Sequence, residues 1–533
     1  MNNPHRPIVL VKIEQESETN HPLALLFLSC ALRKANYQSK ILLERTGRFE
    51  PVEFARQIAS YNPLFVGLSS ITGRQCYDAA VLARAIREVA PHVPLVWGGI
   101  HPSLVPEQTL RQPYVDFIVI QEGEETIVEL AQALDSGKNN FHEILGLGYK
   151  KDDDYFINPD RPFVHMPDYE LEEEDFAQVD MSQCVYDDHS TGDRLAALQT
   201  SRGCPFNCGF CYSLRFTKRK MRYFEPEAIK RMGRILNDKY GVNAIMFTDD
   251  NIYFKYDRMR EIAIGLKEVG IYCRYLQTRV EDVTEESLRD LHQLGVRRLF
   301  FGIETGSPAT KVLIAKKIPN ELILEKIGLI SKFPDMGITC AMIVGFPTET
   351  EDSINQTIRL AVQMTDIHPN TVVTLQTFVP FPGTDLYQLA VGCGYEIPTN
   401  PEEYGELDSF DGDIDIKWSR YYGLRGVELA RRFNLMNKYA ALLTHNPSTT
   451  LIRTLGKKVL RHFARQRLMH NYFEHPFEIG ILGRFNRYMR HYYKDKGGVG
   501  YLKDRYQVKS KKAGQTGQTI QELGRDLYSG AAR

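Results

Sequence analysis

Three cysteines in one short loop constrain this chain more than any other feature. Gly203-Cys204-Pro205-Phe206-Asn207-Cys208-Gly209-Phe210-Cys211-Tyr212 spaces its thiols as C-x3-C-x2-C, with an aromatic on either side of the third. With 9 cysteines in 533 residues, chance would produce this spacing in roughly three such chains per thousand. Gly203, Pro205, Asn207 and Gly209 are loop formers, so the cysteines can curl round a metal centre instead of lying along a helix. Thiolates are soft ligands suited to zinc, copper(I) or iron–sulfur clusters. A structural zinc site closes with four protein ligands, and the nearest other cysteine, Cys184, lies upstream without a matching partner. A 4Fe–4S cluster has four iron corners, and three thiolates leave one of them open to bind and reduce something. The spacing favours a cluster and keeps zinc as the alternative.

The length allows two or three domains. Hydrophobic content of 43% and charged content of 25% are ordinary for a globular protein, and a net charge of -1 exerts no whole-molecule pull on nucleic acid. Met1-Asn2-Asn3-Pro4-His5 lacks a basic-then-apolar signal pattern. No apolar run approaches a membrane span, and scattered cysteines suit a reducing compartment. The expectation is a cytoplasmic, soluble, multidomain protein.

Over residues 1–145, apolar runs at 8–13, 39–43, 64–69, 94–97 and 117–120 alternate with helical patterns at 21–35, 54–61, 77–89 and 125–134. This alternation predicts a doubly wound parallel sheet in an α/β fold. Ligands of such sheets sit beyond the carboxyl ends of the strands. There stand Ser69-Ser70, Gly98-Gly99-Ile100-His101-Pro102 and Glu122-Gly123-Glu124, which also fit ordinary strand-to-helix turns. Residues 146–189 read as a linker, because the acidic run Glu170-Leu171-Glu172-Glu173-Glu174-Asp175 is the usual composition of a solvated surface.

Between 190 and 395, strands at 195–200, 244–248, 273–278, 298–303, 339–344 and 372–378 alternate with helices such as 226–239, 256–269, 284–294 and 350–364. Six such units predict a partial (β/α)6 barrel with its chemistry at the C-terminal strand ends. The cysteine loop follows the first strand and Thr248-Asp249-Asp250-Asn251 the second. Asp249 and Asp250 carry carboxylates able to hold an ammonium group or to cap a helix. Arg279, after the third strand, suits a ligand carboxylate or a structural pair with Glu281 or Asp282.

The C-x3-C-x-aromatic-C loop resembles the signature of radical S-adenosylmethionine (SAM) enzymes. The resemblance implies that the open iron is chelated by the methionyl amine and carboxylate of SAM. One electron then cleaves SAM to a 5′-deoxyadenosyl radical that abstracts hydrogen from unactivated carbon, while the protein supplies position and excludes water. Cys204, Cys208 and Cys211 would hold the cluster, flanked by Phe210 and Tyr212. Asp249 or Asp250 would hold the methionyl ammonium and Arg279 the carboxylate. Gly302-Ile303-Glu304-Thr305-Gly306-Ser307 resembles the family's Gly-x-Glu-Ser-Gly-Ser stretch, in which Glu304 would accept from the ribose hydroxyls. Ile343-Val344-Gly345-Phe346-Pro347-Thr348-Glu349-Thr350 resembles the stretch whose glycine, here Gly345, lets backbone lie against adenine. Pro380-Phe381-Pro382-Gly383-Thr384 resembles the Thr-Pro-x-Pro-Gly-Thr loop.

The N-terminal order of Ser-Ser, Gly-Gly-x-His-Pro and Glu-Gly-Glu resembles the cobalamin-binding domain fused in front of many radical SAM enzymes. His21-Pro22-Leu23-Ala24-Leu25 resembles that domain's Pro-Leu-Gly-Leu stretch, with Ala24 in the glycine's place. Ser69, Ser70, Gly98, Gly99, His101 and Glu122 would then cradle cobalamin. His101 would meet the nucleotide loop or corrin rim, with no histidine on cobalt. Asp187-Asp188-His189-Ser190-Thr191-Gly192 matches the cobalt-ligating Asp-x-His-x-x-Gly pattern but lies outside the sheet domain, and reads as accidental.

Residues 396–533 are expected to form a mainly helical region, acidic and turn-rich over 408–415, helical from about 426, with a flexible tail from about 509. Residues 451–467 form a basic amphipathic pattern, fit either for an anionic membrane surface or for packing on the barrel with a solvated basic edge. Tyr472, Phe473, Phe477, Phe485, Tyr488, Tyr492 and Tyr493 suit a core or a substrate lid better than a nucleic-acid platform. Taken together, the resemblance implies a cobalamin-dependent radical SAM C-methyltransferase, in which one SAM methylates cob(I)alamin and the substrate radical takes the methyl from methylcobalamin. Its partners would be a small-molecule or lipid substrate and an external one-electron reductant of flavodoxin or ferredoxin type, with no nucleic acid. The motif order also resembles the anaerobic magnesium-protoporphyrin ester cyclases and lipid-remodelling relatives, which transfer no methyl. From a different class, a non-catalytic zinc- or cobalamin-binding sensor is the competing reading.

Overall fold

The apolar runs of the N-terminal third pair side by side as buried parallel strands. The computed structural model describes residues 6–14, 22–138, 140–152, 154–188, 192–407, 436, 439, 443, 451–470 and 472–473. In it β1 (Ile8–Glu14), β2 (Ser39–Arg45), β3 (Val66–Ser69), β4 (Leu95–Gly98) and β5 (Phe117–Val119) lie in the order β2-β1-β3-β4-β5. Helices α1 (Leu23–Lys34), α2 (Pro51–Ser60), α3 (Arg74–Val89), α4 (Ile100–Leu104), α5 (Pro106–Leu110) and α6 (Glu124–Asp135) connect them. β1 and β3 flank the point where strand order reverses, the usual ligand crevice of such sheets. Val9, Val11, Val66, Leu68, Leu95 and Trp97 pack into one core with the apolar faces of α2 and α3, because strands covered on both faces must be apolar nearly throughout.

The expected linker is instead built into the fold. β6 (Leu147–Lys151) and β7 (Asp154–Ile157) add two antiparallel strands beyond β5, giving the sheet seven strands. The acidic run forms the single turn α7 (Glu173–Phe176), with Leu171 and Phe176 buried. Asp175 is fully buried against Arg33, 2.9 Å away, and Glu170 pairs with Arg231 at 2.6 Å. Charges this close to an apolar layer persist because each finds a cation.

The second sheet begins with a short antiparallel edge strand, β8 (Tyr186–Asp188), beside β9 (Asp193–Leu198). A two-stranded ribbon follows, β10 (Ser201–Arg202) with β11 (Arg222–Tyr223), enclosing the cysteine loop and α8 (Ser213–Phe216). Next come α9 (Pro226–Tyr240), β12 (Ala244–Phe247), α10 (Tyr256–Glu268), β13 (Tyr272–Thr278), α11 (Glu285–Gln293) and β14 (Arg298–Glu304). α12 (Pro308–Leu313), α13 (Asn320–Ile330), β15 (Gly337–Val344), α14 (Glu351–Ile367), β16 (Thr371–Thr377) and α15 (Asp385–Gly392) complete the set. The order β16-β15-β14-β13-β12-β9-β8 is that of six parallel strands in sequence order plus the edge strand, so the sheet is a half-barrel with its strand ends on one rim.

After α15 the chain returns to the first sheet. Residues 403–407 pack on α3, and Tyr395 and Tyr404 are buried. The Tyr114 hydroxyl donates to Glu402 at 3.2 Å, and Arg84 also pairs with Glu402. α16 (Leu451–Met469) packs along α14. Two arginines of its basic stripe anchor it there: Arg461 donates to the Thr365 carbonyl at 2.6 Å, and Arg465 pairs with Asp366 at 2.9 Å. Val459 and Phe463 remain exposed. Among the described residues no helix is long and apolar enough to cross a membrane. The expectations for His189, for residues 408–415 and 426 onward before α16, for residues 477–493 and for the tail lie outside the described residues.

Candidate functional site

The cysteine loop leaves the carboxyl end of β9 and is fixed at its root by a buried carboxylate. Asp249, at the end of β12, accepts from the Thr200 amide at 3.0 Å, the Thr200 hydroxyl at 2.8 Å and the Ser201 hydroxyl at 2.5 Å. Arg258 donates to the Thr200 carbonyl at 2.7 Å and to the Phe224 carbonyl at 2.6 Å, tying both strands of the ribbon to the same point. At Gly203 the backbone turns with φ at 96°, and a Cβ there would lie 2.2 Å from the Lys220 carbonyl oxygen, so only glycine fits. Further round, the Gly209 amide donates to the Ile314 carbonyl at 3.0 Å, and the Gly209 carbonyl accepts from the Leu386 amide at 3.1 Å.

Cys204, Cys208 and Cys211 are all half-buried, whereas Cys30, Cys76, Cys184, Cys273 and Cys340 are buried and Cys393 is exposed. Burial pushes the Cys211 thiol up to about 12, with Asp250 and the other two cysteines adding to the effect. Burial also raises Cys204, opposed in part by Arg279. Among the described residues no three His, Cys, Asp or Glu side chains converge on a site for a single ion. Zinc needs its thiolates at about 2.3 Å from one centre, whereas a cubane cluster takes each thiolate on a separate iron. Three half-buried thiols on one loop supply the donor set that a cubane with one open iron takes.

Aromatic rings wall the loop. Phe210 packs against Phe346 with centroids 5.9 Å apart, Tyr212 against Phe381 at 5.6 Å, and Phe206 against Phe254 at 6.1 Å. The Arg279 guanidinium lies 3.9 Å from the Phe206 centroid and pairs with Glu281 at 2.6 Å, so it is a structural partner as well as a cation beside Cys204. Asp250 accepts from the Ser213 hydroxyl at 3.1 Å and interacts electrostatically with Cys204 and Cys211. Burial raises the pKa of Asp250 and of Asp249. Adjacent in sequence, the two aspartates are divided in space: Asp249 serves the scaffold, and Asp250 borders the cysteines.

Glu304 ends β14 at a register shift with φ at 66°, a conformation that costs a residue with a side chain about 1–3 kcal/mol. Lys316 holds it, pairing with Oε1 at 2.9 Å and donating to the Gly302 carbonyl at 2.5 Å. At the end of β15, the amides of Gly345 and Phe346 donate to Glu349 at 2.6 and 3.2 Å.

At the carboxyl ends of the first sheet, Ser69 and Gly98 are half-buried and Ser70 is buried with its hydroxyl lacking a hydrogen-bond partner. Gly99, with φ at 96°, lies so close to Ser70 that a Cβ would approach its carbonyl to 2.7 Å. Two expectations need correction here. His101 is fully buried, with Nδ1 3.2 Å from the Thr72 hydroxyl and its ring 4.7 Å from that of Tyr404, so the returning segment covers it. Burial lowers its pKa to about 3, and the ring is neutral. Glu122 is drawn into an ion cluster with the ribbon: Arg202 contacts Glu122 at 3.2 Å and Glu124 at 2.6 Å, and Arg222 also pairs with Glu122. Both arginines lie over aromatic rings, Phe27 at 4.7 Å and Phe163 at 4.2 Å. β5 ends against the ribbon, so its carboxylate meets guanidinium. α4 packs on α8, and the strand ends of the first sheet therefore adjoin the cysteine loop.

Comparison with known proteins matches residues 198–361 to the radical SAM superfamily and residues 9–131 to the B12 binding domain. An uncharacterized methyltransferase from Pyrococcus horikoshii is 30% identical over 403 residues, covering 73% of this chain and 83% of that protein. The chain belongs to the cobalamin-binding radical SAM family. The anaerobic magnesium-protoporphyrin IX monomethyl ester cyclase of Cereibacter sphaeroides is 26% identical, covering 69% of this chain and 60% of that protein. The structure of the radical SAM methyltransferase TsrM from Kitasatospora setae, with cobalamin and a 4Fe–4S cluster bound, superposes with a TM-score of 0.62 at 15% identity. The match covers 88% of this chain and 99% of that one, and is a likeness of fold.

This radical SAM protein is an enzyme, and its family's cofactors are SAM, a 4Fe–4S cluster and cobalamin. Its residues fit them. The thiol trio suits the cluster, as above. Around the first sheet's strand ends, the Ser70 hydroxyl and Arg222 Nε and Nη2 are buried without hydrogen-bond partners. Such orphans call for a ligand or water, and a corrin is rimmed with amides that can satisfy them. Thr200, Arg202, Arg222, Arg258, Lys316 and Glu349 escaped the sequence reading. Each acts through a partner distant in sequence or through a turn without a diagnostic pattern.

Glu349 gives the radical SAM site a pH signature. Burial raises its carboxyl from 4.5 to about 7, so the fold favours the protonated form. The stability this confers is present below 4.5 and is lost as pH rises through about 7. Glu349→Gln is expected to remove this pH-dependent contribution, on the order of 3 kcal/mol, from denaturant unfolding measured across the interval. An unchanged pH dependence would show that Glu349 does not titrate there.

Proposed function

We propose that this enzyme methylates an unactivated carbon of a small-molecule or lipid substrate, using an external one-electron reductant. The observation that carries the reading is the adjacency of two sites: the thiol trio at the end of β9 and the strand ends of the first sheet, joined through α4, α8 and the Glu122–Arg202–Arg222 cluster. When bound there, the cluster with SAM supplies a radical initiator, and cobalamin supplies a methyl donor. A methyl donor beside a radical source suits methyl transfer, and the relative at 30% identity is named a methyltransferase.

The protein's own residues take the following parts. Cys204, Cys208 and Cys211 hold the cluster. Asp250 holds the methionyl ammonium, since Asp249 is occupied by Thr200 and Ser201. Arg279 meets the carboxylate and Glu304 the ribose hydroxyls, while Gly345 brings backbone to the adenine. Ser69, Ser70, Gly98 and Gly99 form the cobalamin cradle, with His101 and Glu122 as its buried supports. Phe206, Phe210 and Tyr212 exclude water from the loop.

Product mass tests the reaction. Anaerobically reconstituted protein given reductant, SAM and a cell extract is expected to release 5′-deoxyadenosine together with a product heavier by one methylene. Gain of oxygen or loss of hydrogen would assign cyclase-type chemistry instead.

A further inference from the structure

The turn that follows the cysteine loop is a knob of positive charge whose exposed members take no part in the site. Residues 213–223 contain Arg215, Lys218, Arg219, Lys220 and Arg222 and no acidic residue. All but Arg222 are exposed. Lys218 and Arg219 have φ of 51° and 60°, two successive left-handed residues with long side chains. Backbone of that kind persists only where its surroundings enforce it, and it concentrates at functional surfaces. Here the enforcement comes from the loop itself: Arg219 donates to the Pro205 carbonyl at 2.9 Å, and the Lys220 carbonyl packs on Gly203. The charges therefore stand within two residues of Cys204. Lys218 pairs with Asp160 at 2.5 Å. Among the described residues no carboxylate pairs with Arg215, Arg219 or Lys220. The chain as a whole carries a net charge of -1, so an acidic partner gains attraction only from a local patch such as this.

We infer that this turn is the docking surface for an acidic electron-carrier protein whose one-electron centre lies near its own surface. The inference rests on the function proposed above, which requires one electron per cleavage. That electron leaves the carrier's reduced centre, which is oxidised by one, and enters the cluster, which is reduced by one. No bond forms or breaks, and no proton is needed. Electron transfer weakens steeply with distance, and this turn is an exposed cationic surface that touches the cluster loop directly. The Arg219 contact to Pro205 gives the docked carrier a short protein path to the first cysteine.

The test uses the reconstituted full chain and its Lys218→Glu/Lys220→Glu variant, which retains the Arg219 contact. A chemically reduced acidic flavodoxin serves as the probe, with dithionite as a small reductant that needs no docking. Stopped-flow binding is expected to show association with flavodoxin slowed about tenfold in the variant, with a flatter salt dependence. Cluster reduction by flavodoxin should slow in parallel, and reduction by dithionite should be unchanged. Equal association and reduction rates in the two proteins would overturn the proposal. Tighter binding of a short RNA than of flavodoxin, lost in the variant, would reassign the turn to nucleic acid and overturn it too. Failure of dithionite-reduced, unsubstituted protein to cleave SAM would strike at the proposed function, and the docking surface would fall with it.

Discussion

Cys208→Ser is expected to yield a folded chain with no intact cluster and no release of 5′-deoxyadenosine. A serine hydroxyl is a hard, protonated ligand where iron–sulfur chemistry needs a soft thiolate. The loop keeps its shape without the thiol, because Asp249, Gly203 and the Gly209 amide fix it independently. Iron and sulfide content, the visible absorbance of anaerobically reconstituted protein and circular dichroism separate loss of cluster from loss of fold. A serine variant with full iron and normal turnover would remove the basis of the assignment.

Asp249→Ala should act on stability instead. The side chain is buried and accepts hydrogen bonds from Thr200 and Ser201, and with Glu225 and Glu261 it favours the charge on Arg258, which burial opposes. Removing one member of a buried charge network costs about 3–5 kcal/mol, which denaturant unfolding will register as a large fall in midpoint. Asp250→Asn should barely move that midpoint while weakening SAM binding. The opposite pattern, a stable alanine variant at 249 and an unstable asparagine at 250, would exchange the two roles.

The contrast between these neighbours shows what can be read from a chain and what cannot. The cysteine loop, the parallel strands and the glycines at 99 and 203 were legible because each is local: a ligand spacing, an apolar period, a turn that admits no Cβ. Asp249 and Asp250 were indistinguishable in the sequence because successive residues at a strand end face different surroundings, and only the neighbouring strand decides which carboxylate meets Thr200. Glu122 read as a cofactor ligand because Arg222, its partner, lies 100 residues away. Asp175 read as solvated because Arg33 is 142 residues distant. His101 read as a rim contact because nothing near it announces that Tyr404 will close over it. Long-range ion pairs and ring contacts leave no periodic trace.

The return of residues 395–407 to α3 has a consequence for how this enzyme can be divided. Two family domains follow one another along the gene, yet the N-terminal one is finished by material encoded after the other: Glu402 under Tyr114, Gly405 against Tyr77 and Tyr404 over His101. A fragment ending at residue 145 would lack that clasp and the two edge strands as well. The corrin module is thus not a detachable cassette: its packing is completed by chain that follows the barrel.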